Sequence, residues 1–204
     1  MKRTITLFSL ALLLAGCVDT TGISPESSKT PRGNPGASVV ITEYGDFQCP
    51  ACRVAHEILT KPLLQKYDGR IRLDFKQFPL LTIHALSLPM AEASECAADQ
   101  GKFWEFVDTV YGEQLKMDKE QKEATAADIA TWADNVGLEK DLFGRCTRSH
   151  IKRKAIMAEF DAGRKIDILG TPTFLVNGVK VENDMASLTT AIDNALQGGG
   201  AVRL

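Results

Sequence analysis

The sequence predicts an α/β fold interrupted by a long helical insertion. Three observations predict it. A β-branched apolar run at 38–44 is followed by a helical pattern and then by an alternating strand. Residues from about 83 to 165 read as a block of helices. The pair Asn177-Gly178, between two short apolar runs, is a hairpin signal, and a last helix follows it.

Residues 38–44, SVVITEY, read as a buried strand, and 45–48 turn the chain. A helix is expected from Pro50 to about Tyr67. Pro50 is tolerated in the first turn, where its missing N–H has no partner to lose. Pro62, inside this segment, is expected to kink or interrupt it. Residues 70–78, RIRLDFKQF, alternate polar and apolar and read as a second strand. His84 to Tyr111 is Ala-rich with no proline after Pro89, and reads as helix. Thr125 to Val136 is helical too. Thr125 and Asp128 resemble a capping box, and Gly137 suits the residue after a helix end. Lys140 to Arg164 continues the helical block. Thr173–Val176 and Val179–Val181 form the hairpin, and Met185 to Leu196 the last helix. Glycines 198 to 200 open a loose tail covering 197–204. Without the block at 83–165, the hairpin joins the two earlier strands in one sheet.

The chain has 204 residues, which suits one compact domain with an insertion. A hydrophobic fraction of 44% and a charged fraction of 25% are those of a soluble globular protein. A net charge of -2 argues against nucleic-acid binding, which calls for a basic face. The amino terminus stands apart. Lys2 and Arg3 precede an apolar run from Ile5 to Leu14, too short to span a bilayer comfortably. It ends in Leu14-Ala15-Gly16-Cys17, which resembles the lipobox of bacterial lipoproteins. The resemblance implies that residues 1–16 are a signal peptide and that Cys17 becomes the lipidated amino terminus. That address is extracytoplasmic: the periplasmic side of an inner or outer membrane, or the outer face of a single membrane. Residues 17–37, rich in Ser, Thr, Gly and Pro, read as a flexible tether.

With Cys17 set aside, Cys49, Cys52, Cys96 and Cys146 remain, an even number for an oxidising compartment. Cys49 with Cys52 is the local pairing, which leaves Cys96 with Cys146. A zinc ribbon usually shows two short-spaced pairs, and the second pair here is far apart in sequence, so no metal is expected. Cys49 sits where a strand turns into a helix. Free first-turn N–H groups and the helix dipole favour a thiolate at that place. Cys52 lies one turn on, where it can attack a mixed disulfide formed at Cys49. The spacing supports thiol–disulfide exchange with Cys49 attacking and Cys52 resolving.

DFQCPAC after a hydrophobic strand, with Gly170-Thr171-Pro172-Thr173-Phe174 later, resembles the thioredoxin fold. With QFPL at 77–80, His84 and CAADQGKFWEF at 96–106, the chain resembles the DsbA-like thiol:disulfide oxidoreductases over residues 38–196. The resemblance implies a thioredoxin fold with an inserted all-helical domain. It implies a cis bond between Thr171 and Pro172, beside the two cysteines, whose backbone holds an extended substrate segment. It gives Glu43 the place of a buried acid that exchanges a proton with Cys52, unless Lys76 on the next strand pairs with it. It supports a bond between Cys96 and Cys146, read as structural. His56 is read as a surface residue, His84 is given no role, and Phe103 and Trp104 are assigned to the helical core.

The expected reaction is electron exchange with thiols or disulfides of exported proteins, without a cofactor, mainly as an oxidase that a membrane redox partner reoxidises. Isomerase or reductase action, with a membrane electron donor, is the enzymatic alternative. A chaperone or interaction module with an inert Cys49–Cys52 bond is the alternative from another class. Pro50-Ala51 lacks the histidine of the strongly oxidising members, which leaves the direction of electron flow open.

Overall fold

The computed structural model describes residues 21–198; Cys17 and the expected signal peptide, with the tail from residue 199, lie outside the described residues. The first long strand, β2 (Val39–Gly45), runs parallel to β3 (Ile71–Gln77) and antiparallel to β4 (Thr173–Val176), which pairs with β5 (Val179–Val181). A two-residue strand, β1 (Arg32–Gly33), caps the other edge, so the order is β1-β3-β2-β4-β5. Asn177 and Gly178 both have positive φ (47° and 83°), the conformation that makes Asn-Gly a tight hairpin turn.

Between β2 and β3 the chain forms α1 (Pro50–Ala55), a π-helical turn (His56–Thr60) and α2 (Lys61–Lys66). The π turn ends just before Pro62, whose ring and absent N–H disturb the preceding turn. The insertion holds α3 (Ser87–Ala98), α4 (Phe103–Lys119), α5 (Ala126–Asn135), α6 (Lys140–Ser149) and α7 (Arg153–Lys165). The helix α8 (Met185–Leu196) returns to the sheet. The helical block is more divided than its composition suggests. Residues 81–86 form turns, Gly101 at φ +70° separates α3 from α4, and His150 in the left-handed region separates α6 from α7. The capping box of Thr125 and Asp128 starts α5, and Gly137 at φ +73° follows its end.

Two of the three apolar clusters among the described residues meet beside α1. One buries Val39, Ile41, Leu63, Leu73 and Phe174 under α1, α2 and α8. The other fills the helical insertion, and Phe47, Cys49, Cys52 and Phe75 belong to it. The start of α1 is therefore wedged between sheet and insertion. Gly45 makes that wedge possible: a Cβ there would come within 2.6 Å of the Phe75 ring, which stacks on Phe47 at 5.2 Å. Trp104 packs against both clusters, and Phe103 is buried in the helical one.

The tether expected over 17–37 is a correction. Its described part is a strap laid across the insertion. Lys29 Nζ reaches Glu95 and Glu159, each at 2.7 Å, Ser27 donates to Glu95, and Trp104 Nε1 donates to Thr30 O at 2.9 Å. Glu95 is almost fully buried. A carboxylate taken out of water needs a charged partner and hydrogen bonds. Burial would raise the Glu95 pKa, but Lys29 and its hydrogen bonds outweigh it and hold the carboxyl below the usual range. Few apolar side chains thus mean polar docking here, not looseness.

Cys96 on α3 and Cys146 on α6 form a disulfide, with Cα atoms 5.8 Å apart, across a sequence separation of 50. Closing a loop of that size stabilises by about 2–4 kcal/mol through the unfolded chain. The double variant Cys96→Ala/Cys146→Ala is expected to lose about that much in a denaturant titration. A loss below about 0.5 kcal/mol would remove the structural role.

Candidate active site

Cys49 is the N-cap residue of α1, in extended conformation (φ -70°, ψ 121°), with Pro50 next as the first helical residue. The N–H groups of Cys52 and Arg53 bond to Cys49 O at 3.1 and 3.3 Å. Both cysteines are reduced. Their environments differ: Cys49 keeps 6% of its surface, Cys52 none. The Cys49 thiol donates to Thr171 O at 3.4 Å. The Thr171–Pro172 bond is cis, and the loop lies directly against the first sulfur. The Thr171 hydroxyl is buried without a partner among the described residues, so it is available to the sulfurs when they ionise.

The two thiols are pushed in opposite directions. A hydrogen bond from the Cys52 thiol lowers the Cys49 pKa to about 5. Donors from Thr171 and from the Cys52 and Ala51 N–H groups add to it and outweigh burial. Burial raises Cys52 well above the ordinary thiol range, and the neighbouring Cys49 raises it further. One sulfur is thus a thiolate at neutral pH and the other holds its proton.

Glu43 stands on β2 in the row Val39, Ile41, Glu43, paired in register with Phe75 and Phe174. It is fully buried. Thr60 Oγ1 donates to its Oε2 at 3.1 Å, and Oε1 has no partner among the described residues. Burial raises its pKa to about 7, against the opposing effects of His56 and Thr60. Lys76 does not pair with it. Register sets Lys76 beside Tyr44, one residue on and so on the other face of the sheet, and its Nζ goes to Glu159 at 3.0 Å.

His56 is the larger correction: it is 1% exposed, and its Nε2 lies 2.7 Å from Asp108 Oδ1. Asp108 is also held by a forked pair from Arg32, at 2.9 and 2.6 Å. Asp46 escaped the sequence reading altogether. Buried in the turn before Cys49, it accepts from Gln48 N, Leu80 N and His84 Nδ1, and so ties the cysteine loop to 80–84. That gives His84 a fixed place at the rim. An acidic residue two before a backbone N–H it can accept from is the Asx-turn signal that marks it. Beside Pro50 lies an open cleft of about 320 Å³, whose lining includes Gln48, Arg53, Ile83, His84 and Gln114.

Residues 26–194 match the family described as Thioredoxin. The chain is 30% identical over 178 residues to the probable disulfide bond formation protein D of Bacillus anthracis, covering 84% of this chain and 80% of that one. It is 32% identical over 169 residues to the Na(+)/H(+) antiporter NhaA 1 of Salinispora arenicola, covering 82% of this chain. It spans only 24% of that antiporter's length. Among solved structures, a thioredoxin-like oxidoreductase from Silicibacter pomeroyi matches with TM-score 0.70 at 25% identity, over 83% of this chain and 93% of that one. Oxidised BdbD from Bacillus subtilis matches the fold with TM-score 0.69 at 20% identity, over 84% and 94%. Among the described residues no helix is long and apolar enough to cross a membrane, and no cluster of His, Cys, Asp or Glu suits a metal ion. The chain belongs to the thioredoxin family, together with the disulfide bond formation protein D relative.

Proposed function

We propose that the protein is an extracytoplasmic, lipid-anchored thiol:disulfide oxidoreductase that works mainly as an oxidase on exported proteins. The observation that carries this reading is the split between the two thiols at the start of α1, with Cys49 lowered to about 5 and Cys52 raised. In the oxidised enzyme a substrate thiolate attacks Cys49. The bond from Cys49 to Cys52 breaks as the mixed disulfide forms, and Cys52 leaves as a thiolate. Cys52 then takes a proton, which Glu43 beneath the site supplies. A second substrate thiolate attacks the substrate sulfur of the mixed disulfide, and Cys49 leaves as a thiolate that is stable at neutral pH. The substrate loses two electrons and gains a disulfide; the enzyme becomes the dithiol.

The backbone of Thr171 holds the substrate segment beside Cys49, and the cis Pro172 shapes that loop. The Cys96–Cys146 bond takes no part in the electron exchange. A membrane redox partner draws the two electrons off the dithiol, and lipidation at Cys17 keeps the enzyme near it. The protein D relative, named for disulfide bond formation, supports the oxidase direction.

Oxidative refolding of a reduced, unfolded protein tests this. Wild type is expected to speed disulfide formation, and Cys49→Ala to abolish the effect. In a refolding buffer that contains oxidised glutathione as the electron acceptor, Cys52→Ala is expected to accumulate a mixed disulfide through Cys49, visible by mass spectrometry. No mixed disulfide, together with unchanged refolding, would exclude the reading.

A further inference from the structure

Cys52 carries a charge in both directions of the exchange. It leaves as a thiolate when a substrate attacks Cys49, and it attacks as a thiolate when it resolves a mixed disulfide. That charge develops in a place closed to solvent. Cys52 has no exposed surface, and burial is the largest cause of its raised pKa. A charge that forms inside a protein needs a donor already in position. The Asp46 N–H is such a donor: it bonds to Cys52 Sγ at 3.5 Å, and it lowers the Cys52 pKa against the effect of burial. The same residue carries the other cysteine, because Asp46 O accepts from Cys49 N at 3.1 Å. The N–H and the C=O of one turn residue thus meet the two members of the redox pair.

Asp46 is held harder than a turn requires. An Asx turn needs one acceptor, and Asn or Ser would serve. Here Oδ1 accepts from Gln48 N at 2.8 Å, and Oδ2 accepts from Leu80 N at 2.9 Å and from His84 Nδ1 at 2.7 Å. An amide has a single acceptor oxygen and cannot take all three. The Asp46 side chain has no exposed surface. The chain leaves the sheet twice at this point, after Gly45 and after Gln77, which are register partners on β2 and β3. Phe78 N donates to Gly45 O at 2.9 Å, and Leu86 N donates to Gln48 Oε1 at 2.6 Å. The segment 78–86 is therefore stitched to the cysteine turn at four of its residues. His84 is the stitch nearest solvent: its side chain is 16% exposed and lines the cleft beside Pro50.

We propose that Asp46 is the positioning residue of the resolving cysteine: its buried carboxylate, braced by Leu80 and His84, fixes the N–H that meets the charge on Cys52 Sγ. The proposal rests on the exchange reading above and separates its two steps. When the reduced enzyme meets oxidised glutathione, the Cys49 thiolate attacks one sulfur and a glutathione thiolate leaves. This step forms the mixed disulfide without Cys52. Cys52 then gives its proton to Glu43, the reverse of the transfer above, and attacks Cys49 Sγ. The second glutathione thiolate leaves and the Cys49–Cys52 bond closes. Two electrons have passed from the dithiol to oxidised glutathione. The Asp46 N–H bears on the second step alone.

The test mixes the reduced full chain with excess oxidised glutathione near neutral pH, quenches with acid at successive times, and follows the glutathione adduct of Cys49 by mass spectrometry. Losing a donor to a developing charge costs on the order of 100-fold or more, and a donor that is shifted rather than lost costs less. Asp46→Asn is expected to form the adduct within about twofold of the wild-type rate and to lengthen its lifetime about tenfold. The midpoint of Cys49 alkylation should not move, because Cys52 remains a thiol in the resting reduced enzyme. His84→Ala removes one of the three donors to the carboxylate. It is expected to lengthen the adduct lifetime about threefold, and it decides alone if Asp46→Asn does not fold. An unchanged lifetime would overturn the proposal. So would slower adduct formation with a shifted alkylation midpoint, which would mean a loosened loop rather than a misplaced donor. If wild type forms no Cys49–Cys52 bond with oxidised glutathione, the exchange reading fails first, and that result is distinct.

Discussion

At pH 5, Cys49 is expected to be alkylated by iodoacetamide on the order of 100-fold faster than a model thiol, once the lower nucleophilicity of an acidic thiolate is allowed for. A pKa of about 5 leaves half of Cys49 as thiolate at that pH. An ordinary thiol is ionised there to only a few parts in ten thousand. Nucleophilicity falls with pKa, with a Brønsted slope of about 0.4–0.5, which removes most but not all of the gain. The pH profile follows with its sign fixed. The rate stays flat as pH falls from neutrality, drops by half near the Cys49 pKa, and then falls tenfold per unit. Cys52, raised and without exposed surface, contributes nothing over this range. Cys49→Ala removes the fast phase, and Cys52→Ala moves its midpoint upward. The second outcome is the sharper one, because the Cys52 thiol is the largest single cause of the Cys49 shift. A midpoint above about pH 8 in wild type, the range of a free cysteine, would leave the thiol unactivated and the exchange mechanism without its nucleophile.

The parts of this site that were legible in the sequence are those fixed by local chemistry. Pro50 and the strand before it place Cys49 at a helix start whatever the rest of the fold does. Asn177-Gly178 can only turn tightly. Thr125 with Asp128 closes its own box. The parts that were not legible depend on partners far along the chain. His56 reads as one more polar residue on an amphipathic helix until Asp108, 52 residues later, is packed against it. Lys29 looks like a residue of a loose tether because its carboxylates lie 66 and 130 residues away. Lys76 and Glu43 are adjacent on paper, on neighbouring strands. A register that pairs Glu43 with Phe75 sends their side chains to opposite faces. Asp46 was hidden for a different reason: one acid in a turn is common, and its three bonds to 48, 80 and 84 need the loops already folded.

The active-site couple is expected to have a potential of about −220 mV, more oxidising than thioredoxin at about −270 mV and less than DsbA at about −120 mV. The Cys49 thiolate alone accounts for this value. Ionisation stabilises the reduced form, and it does so only to the extent that the pKa lies below the working pH. Relative to a free thiol the gain is complete above the free thiol's pKa and is lost as pH falls through about 5. At pH 7 it amounts to about two pKa units, or about 2.7 kcal/mol. The thiol of thioredoxin, with a pKa near 7, gains only about 0.4 kcal/mol at the same pH. The difference of about 2.3 kcal/mol corresponds to about 50 mV for two electrons. Pro50-Ala51 sets this ceiling. With no histidine between the cysteines, the stabilising donors are Cys52, Thr171 and two backbone N–H groups, all neutral. A charged donor at Ala51 would strengthen the same interaction, so Ala51→His is expected to raise the potential toward that of DsbA and lower the Cys49 midpoint with it. Equilibration against glutathione measures both. A wild-type value at or below about −270 mV would turn the enzyme into a reductase. If Ala51→His moved the potential without moving the midpoint, thiolate stability would not be what sets the direction of electron flow.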